Sequence, residues 1–230
     1  MIGILRFPRL AWGLALACFG LFVSQATGAA AMSFELVQLG QSNFCGRGCV
    51  EIIVAEGEIT ETTPDEFLAF AKANAAAGQA RNVLFLDSPG GNVVGSLKLG
   101  KMLRSLGTAV VVARVLRGPD ERATAIAAGR CMSACVYTLM GGRKRVVPPE
   151  SEVGIHRMFR RETEHDAVSR LSQTHTFYAP EEMVDALSRY SGSMGISRQL
   201  VAMAEQIPPN TVHIVTPGEM LRWRLGTPKF

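Results

Sequence analysis

Asn82-Val83-Leu84-Phe85-Leu86-Asp87-Ser88-Pro89-Gly90-Gly91-Asn92 joins an apolar run to a glycine corner and sets the register of everything around it. Asn82 to Leu86 is a short apolar run of the kind that forms a strand buried on both faces. A Pro-Gly-Gly corner follows. Val93 to Leu106 then places Val94, Leu97, Leu99, Met102, Leu103 and Leu106 at helical spacing, and Gly107 caps the helix. Thr108 to Val115 is the next β-branched strand. Upstream, Val50 to Ala55 is another buried strand, preceded by a short one from Phe34 to Leu39. Between Val50–Ala55 and Asn82 a helix opens at Thr63-Pro64-Asp65-Glu66, with Thr63 as N-cap and Glu66 as its capping-box partner, and ends at Gly78. Strand, helix, strand in this order implies right-handed crossovers and a parallel sheet.

Beyond Val115 the pattern loosens. Leu116 to Gly129 reads as an irregular insert and Ala134 to Met140 as a buried helix stopped by Gly141-Gly142. Two short strands, Arg145–Val147 and Val153–Ile155, flank Pro148-Pro149. From Arg160 to Ser191 the chain is polar and reads as helical, with Ala167, Val168, Leu171, Met183, Val184 and Leu187 as a candidate buried stripe. Pro180, followed by Glu181 and Glu182, starts a helix within that stretch. Ile196 to Ile207 is a further helix, Val212 to Val215 a last short strand, and Thr216-Pro217-Gly218-Glu219 opens a closing helix. No repeat, low-complexity tract or linker divides the chain. One α/β domain over residues 32–230 is the expectation.

Residues 1–31 read differently. Arg6 and Arg9 precede an apolar run from Leu10 to Val23, and small residues follow to Ala31. That order is a secretory signal peptide. The run is short of the roughly 20 apolar residues of a membrane-spanning helix. The expected destination is the periplasm or the exterior of a bacterium. The alternative is an inner-membrane anchor, with membrane contact only if the segment stays uncleaved.

Hydrophobic residues are 47% of the chain and charged ones 19%, an ordinary globular balance. The net charge of +4 is spread along the sequence, without the basic stripe or interleaved aromatics of a nucleic-acid binder. Export leaves Cys45, Cys49, Cys131 and Cys135 in an oxidising compartment, where two disulfides are expected. Three pairings are open. The spacing is not that of a zinc ribbon and no histidine adjoins either pair, so neither a metal nor another cofactor is expected.

Three stretches carry candidate chemistry. The Pro89-Gly90-Gly91 corner can turn backbone N–H groups toward an anion. Neither a Gly-Lys-Ser/Thr loop nor Gly-x-Gly-x-x-Gly is present, which excludes the usual phosphate sites. Ser133 precedes an apolar helix, a place where serine is ordinarily an N-cap, and it lies outside any Gly-x-Ser-x-Gly elbow. His156 ends the strand Val153–Ile155. His165, His175 and His213 read as surface or packing residues.

Taken together, Gly57-Glu58-Ile59, Leu84 to Gly91, Ser133 and Pro148 to His156 resemble the proteolytic subunit of Clp protease and, more broadly, the Clp/crotonase superfamily. The resemblance covers about Val50 to His156 and extends faintly to Thr216–Gly226. It implies a single domain of repeated β-β-α units and a Ser-His-acid triad that cleaves peptide bonds. Ser133 would be the nucleophile, His156 the general base, and the N–H groups of Gly91 and Ala134 the oxyanion donors. The sequence departs from the pattern at the acid. No aspartate follows Asp185, so Glu205 is the expected third member and Asp185 the weaker choice. Ala134-Cys135 also stand where the family favours methionine and glycine. A disulfide from Cys131 or Cys135 to Cys45 or Cys49 would pin the nucleophile segment to the N-terminal loop. A peptide or protein substrate is implied, and self-association is expected through the helical region 160–191. Two readings follow: an exported serine peptidase-like hydrolase, or an inactive member of the fold that serves as a binding or assembly module.

Overall fold

The computed structural model describes residues 30–39, 50–74, 80–117, 123–165 and 172–229. The expected signal segment up to residue 29, the loop with Cys45 and Cys49, Gly78, and Ala167, Val168 and Leu171 lie outside the described residues. Strands β1 (Ser33–Leu39) and β2 (Val50–Glu56) pair antiparallel. β2, β3 (Ala80–Asp87) and β4 (Ala109–Arg117) run parallel. Helices α1 (Thr63–Asn74) and α2 (Val93–Ser105) make the crossovers. Beyond Arg117, β5 (Ala123–Ala128) folds back antiparallel on the outer half of β4. The expected irregular insert is therefore in good part strand: Ala-Thr-Ala-Ile-Ala-Ala carries too little apolar contrast to show its period of two.

A second, three-stranded sheet holds β6 (Arg130–Met132) parallel to β8 (Glu152–Ile155), with β11 (His213–Ile214) antiparallel at its other edge. Helix α3 (Cys135–Gly141) leaves β6 and leads to β7 (Lys144–Val146), which joins the main sheet beside β4. The mixed α/β architecture of strands and returning helices matches the expected class.

Burial follows the strand period. On β3, Leu84 and Leu86 enter one apolar cluster with Leu99, Leu103, Leu139 and Leu200, while Phe85 enters a second with Ile52, Val54 and Val111. Both faces are covered, which is why the run is apolar without alternation. Each such leucine removed from water contributes about 2 kcal/mol. The α2 face differs from expectation: Gly95, Ser96, Leu99, Gly100 and Leu103 are buried, while Val94 and Leu106 are exposed. Small residues are needed because α2 and α3 cross backbone to backbone. A Cβ on Gly141 would fall 2.1 Å from the Gly100 oxygen.

Three further expectations shift. Thr62, not Thr63, bonds Glu66 at the start of α1 (2.8 Å), and the Thr63 hydroxyl accepts from Thr60 N instead. The helix expected over Ile196–Ile207 shortens to α5 (Gln199–Ala204). The larger correction concerns Arg160–Ser191, expected to be helical throughout. β9 (Phe159–His165) and β10 (Ser172–Tyr178) form an antiparallel hairpin, and only from Glu181 does α4 (Glu181–Ser193) begin, as Pro180 signals. Cross-strand Thr163–Thr174 and the stacking of Arg160 on Phe177 favour the ribbon, where such pairs hold two strands together. On α4, Leu187 is buried and Met183 and Val184 pack beside it. The last helix, α6 (Pro217–Arg222), opens with a full Thr216–Glu219 capping box. Among the described residues no helix is long and apolar enough to cross a membrane.

Candidate active site

Backbone hydrogen bonds sew the three candidate stretches together. Past the end of β3, Ser88 N donates to Arg130 O (2.7 Å) and Ser88 O accepts from Met132 N (3.0 Å). The glycine corner is thus tied to β6, the strand that delivers Ser133. Ser133 N in turn donates to Gly154 O (2.8 Å) on β8, the strand that delivers His156. Asp87 accepts from Arg130 N (2.6 Å), a structural use for the carboxylate that ends β3.

Gly90 and Gly91 have φ of 108° and 124°, in the region glycine alone enters readily. Ile59 N donates to Gly90 O (2.7 Å) and Asn92 N to Ile59 O (2.6 Å), so the corner is clamped on both sides of Gly91. The Asn92 side chain, unrecognised in the sequence, accepts from Gly95 N and caps α2 (2.8 Å). Among the described residues, the amides of Gly91 and Ala134 donate no hydrogen bond within the protein, although Ala134 is only 2% exposed. Buried backbone donors are nearly always paired, so the Ala134 amide is the exception that calls for a ligand, while the Gly91 amide lies open to solvent.

Ser133 is not the N-cap that its position suggested. The α3 cap is Ala134, with no side-chain bond to the helix, and Ser133 itself sits at φ 55°. A non-glycine residue in that region costs about 1–3 kcal/mol and persists only where its surroundings hold it. Cys131 and Cys135 do so, joined to each other by a disulfide that spans Ser133, with Cα atoms 5.2 Å apart. This corrects the expected bridge to Cys45 or Cys49. The turn at Ser133 brings the two cysteines within bonding distance, and a residue so paired has no sulfur left for the N-terminal loop.

Ser133 and His156 line one cleft of about 220 Å³, together with Gly91 and Ala134. Val93, Tyr137, Met158, Phe159 and Leu200 make its apolar wall. Burial raises the Tyr137 phenol above its ordinary range and nearby Glu205 adds to the effect. The His156 Nδ1 lies 2.8 Å from Arg157 O. A carbonyl only accepts, so a hydrogen bond here requires the ring proton on Nδ1, the tautomer that leaves the Nε2 lone pair unprotonated. No hydrogen bond joins Ser133 Oγ to the ring among the described residues; such catalytic bonds commonly tighten only with substrate bound.

Glu205 does not reach His156. Its carboxylate accepts from Arg157 Nε at 3.2 Å and from Met158 N at 3.4 Å. Asp185 is exposed on α4. The functional feature missed in the sequence is the Arg157 carbonyl, whose only signal was adjacency to His156. Among the described residues no three His, Cys, Asp or Glu side chains converge as a metal site would need. His213 is held by Glu219 (2.9 Å) at the α6 capping box.

No protein-family model matches the chain, and no curated protein does. Among solved structures it is similar to a serine-to-alanine mutant of the 1510-N membrane-bound stomatin-specific protease: 18% identity, 76% of this chain and 75% of the other covered, TM-score 0.50. The fold is Clp/crotonase-like. A lysine-to-alanine mutant of the same protease, in complex with a substrate peptide, matches at 18% identity over 76% and 71% of the two chains, with TM-score 0.47. Likeness at this level of identity speaks for the fold.

Proposed function

We propose that the protein is an exported serine-type hydrolase of peptide bonds, with Ser133 as nucleophile and His156 as general base. The observation that carries this reading is that Gly91 and Ala134, whose amides have no partner among the described residues, line one cleft with His156 and with a serine held at φ 55°. His156 Nε2 takes the Ser133 hydroxyl proton as Oγ bonds to the scissile carbonyl carbon, whose π electrons move to oxygen. The resulting oxyanion accepts from Gly91 N–H and Ala134 N–H, donors worth about 3–4 kcal/mol each where comparable groups have been removed. Collapse breaks the C–N bond, and the imidazolium gives its proton to the leaving amine. Water, deprotonated by His156, then releases the acyl group from Ser133. The apolar wall from Val93 to Leu200 suits an apolar substrate side chain beside the scissile bond. Acyl-CoA chemistry, also known on this fold, does not suit an exported protein.

One observation favours the second reading, an inactive binding or assembly module: among the described residues no carboxylate bonds to His156. Cleavage of unstructured peptides by the wild type, Ser133→Ala and His156→Ala separates the two. The hydrolase reading expects turnover lost in both variants while peptide affinity survives. Peptide binding without cleavage in the wild type supports the module instead.

A further inference from the structure

We propose that Glu205 is a positioning residue for His156, acting through the Arg157–Met158 peptide unit and not on the ring itself. The proposal rests on the reading of His156 as the base. The carbonyl that accepts from His156 Nδ1 and the N–H that donates to Glu205 Oε1 belong to the same peptide plane. No peptide bond among the described residues is cis, so that N–H and C=O point in opposite directions. The carboxylate thus pins one end of the plane while the other end holds the ring. Charge runs the same way along the chain. A negative group at the N–H end of a peptide dipole polarises its oxygen toward the Nδ1–H beyond it.

The remaining contacts fix the carboxylate. Arg157 donates to Glu205 Oε2 through Nε (3.2 Å) and stacks its guanidinium 4.2 Å from the centre of the Tyr178 ring. Arg157 N donates to Ile207 O (2.8 Å), so the peptide on the other side is held as well. Glu205 is also the C-cap of α5, where the helix dipole disfavours an acid. The arrangement does by relay what a carboxylate in contact with the ring does directly: it selects the tautomer and leaves Nε2 free toward Ser133.

The test is long-range ¹H–¹⁵N NMR of ring-labelled histidines at a pH where the ring is neutral, with His156 assigned through its loss in His156→Asn. The wild type is expected as the Nδ1–H tautomer. Glu205→Ala shifts the ring toward Nε2–H and lowers kcat by up to about 10- to 100-fold, the range for loss of a group that orients a functional histidine directly, with KM unchanged. Glu205→Gln still offers an acceptor to Met158 N–H and restores the Nδ1–H form. His213 signals, set by Glu219, report that the fold is intact. Should Glu205→Ala not fold, Arg157→Ala keeps the carbonyl but frees the carboxylate, and the Nδ1–H fraction falls. An Nε2–H ring in the wild type, or an Nδ1–H fraction unchanged in Glu205→Ala or Arg157→Ala, overturns the proposal. A wild type that cleaves nothing sinks the hydrolase reading alone, because the tautomer still decides what Glu205 does.

Discussion

Gly90 packs directly on Ser133: a Cβ built on the glycine falls 2.9 Å from the Ser133 Cβ and 2.7 Å from Met132 O. The glycine corner and the serine turn are therefore one built object, and neither can move without the other. At Gly91 a Cβ would lie 2.2 Å from Ile59 O. Gly91→Ala must shift the corner, at a strain cost of about 1–3 kcal/mol. It should also lower kcat about 10²- to 10³-fold, as loss of an oxyanion donor does. Gly218→Ala, with nothing within 4 Å of the new Cβ, should change neither quantity. Thermal unfolding and turnover measured on the two variants check this.

The Cys131–Cys135 disulfide closes a short loop around the serine. Chain entropy alone gives such a loop about 2 kcal/mol. The double variant Cys131→Ala/Cys135→Ala should lose stability of that order. With the strained turn released, it should also react more slowly at Ser133 while remaining folded. Denaturant unfolding and reaction rate, with and without reductant, provide the measurement. Both sulfurs are buried, so reductant should act slowly on the folded wild type.

How much of this could be read in the residues varies along the chain. Leu84 and Leu86 declare a strand buried on both faces, and Pro89-Gly90-Gly91 declares a corner, because each depends on local chemistry. Ser133 looked like a cap because nothing in its neighbours reveals a positive φ; that comes from its backbone tie to Gly154 and the disulfide across it. The β9–β10 ribbon was hidden because Arg160, Arg161, Glu162 and Glu164 suit an exposed helix as well as an exposed strand. Burial, which would have chosen between them, is absent along β10. Glu205 was singled out by its place in the chain as the acid on His156, but it bonds Arg157 and Met158 instead, and the carbonyl that takes the ring leaves no mark in a sequence.

The Glu219 carboxylate sets an acid limit on stability. Burial raises its pKa, but bonds from Thr216 N–H, His213 and the Thr216 hydroxyl outweigh this and the net shift is down. A carboxyl with a depressed folded value stabilises above its ordinary 4.5, and that contribution is lost as pH falls through the folded value. Glu219→Gln keeps the capping-box shape and loses the charge, so it should cost about 0.3–1 kcal/mol at neutral pH, the worth of a negative group near a helix N-terminus. The variant and wild type should converge in strongly acid solution. Urea unfolding across that pH range checks it.

If Ser133 is a nucleophile beside the Gly91 and Ala134 amides, it reacts with a fluorophosphonate, and peptide mapping locates the adduct. One phosphonyl group on Ser133 is expected, absent in Ser133→Ala and strongly slowed in His156→Ala. A folded wild type that takes no label, or takes it at another serine, contradicts the account.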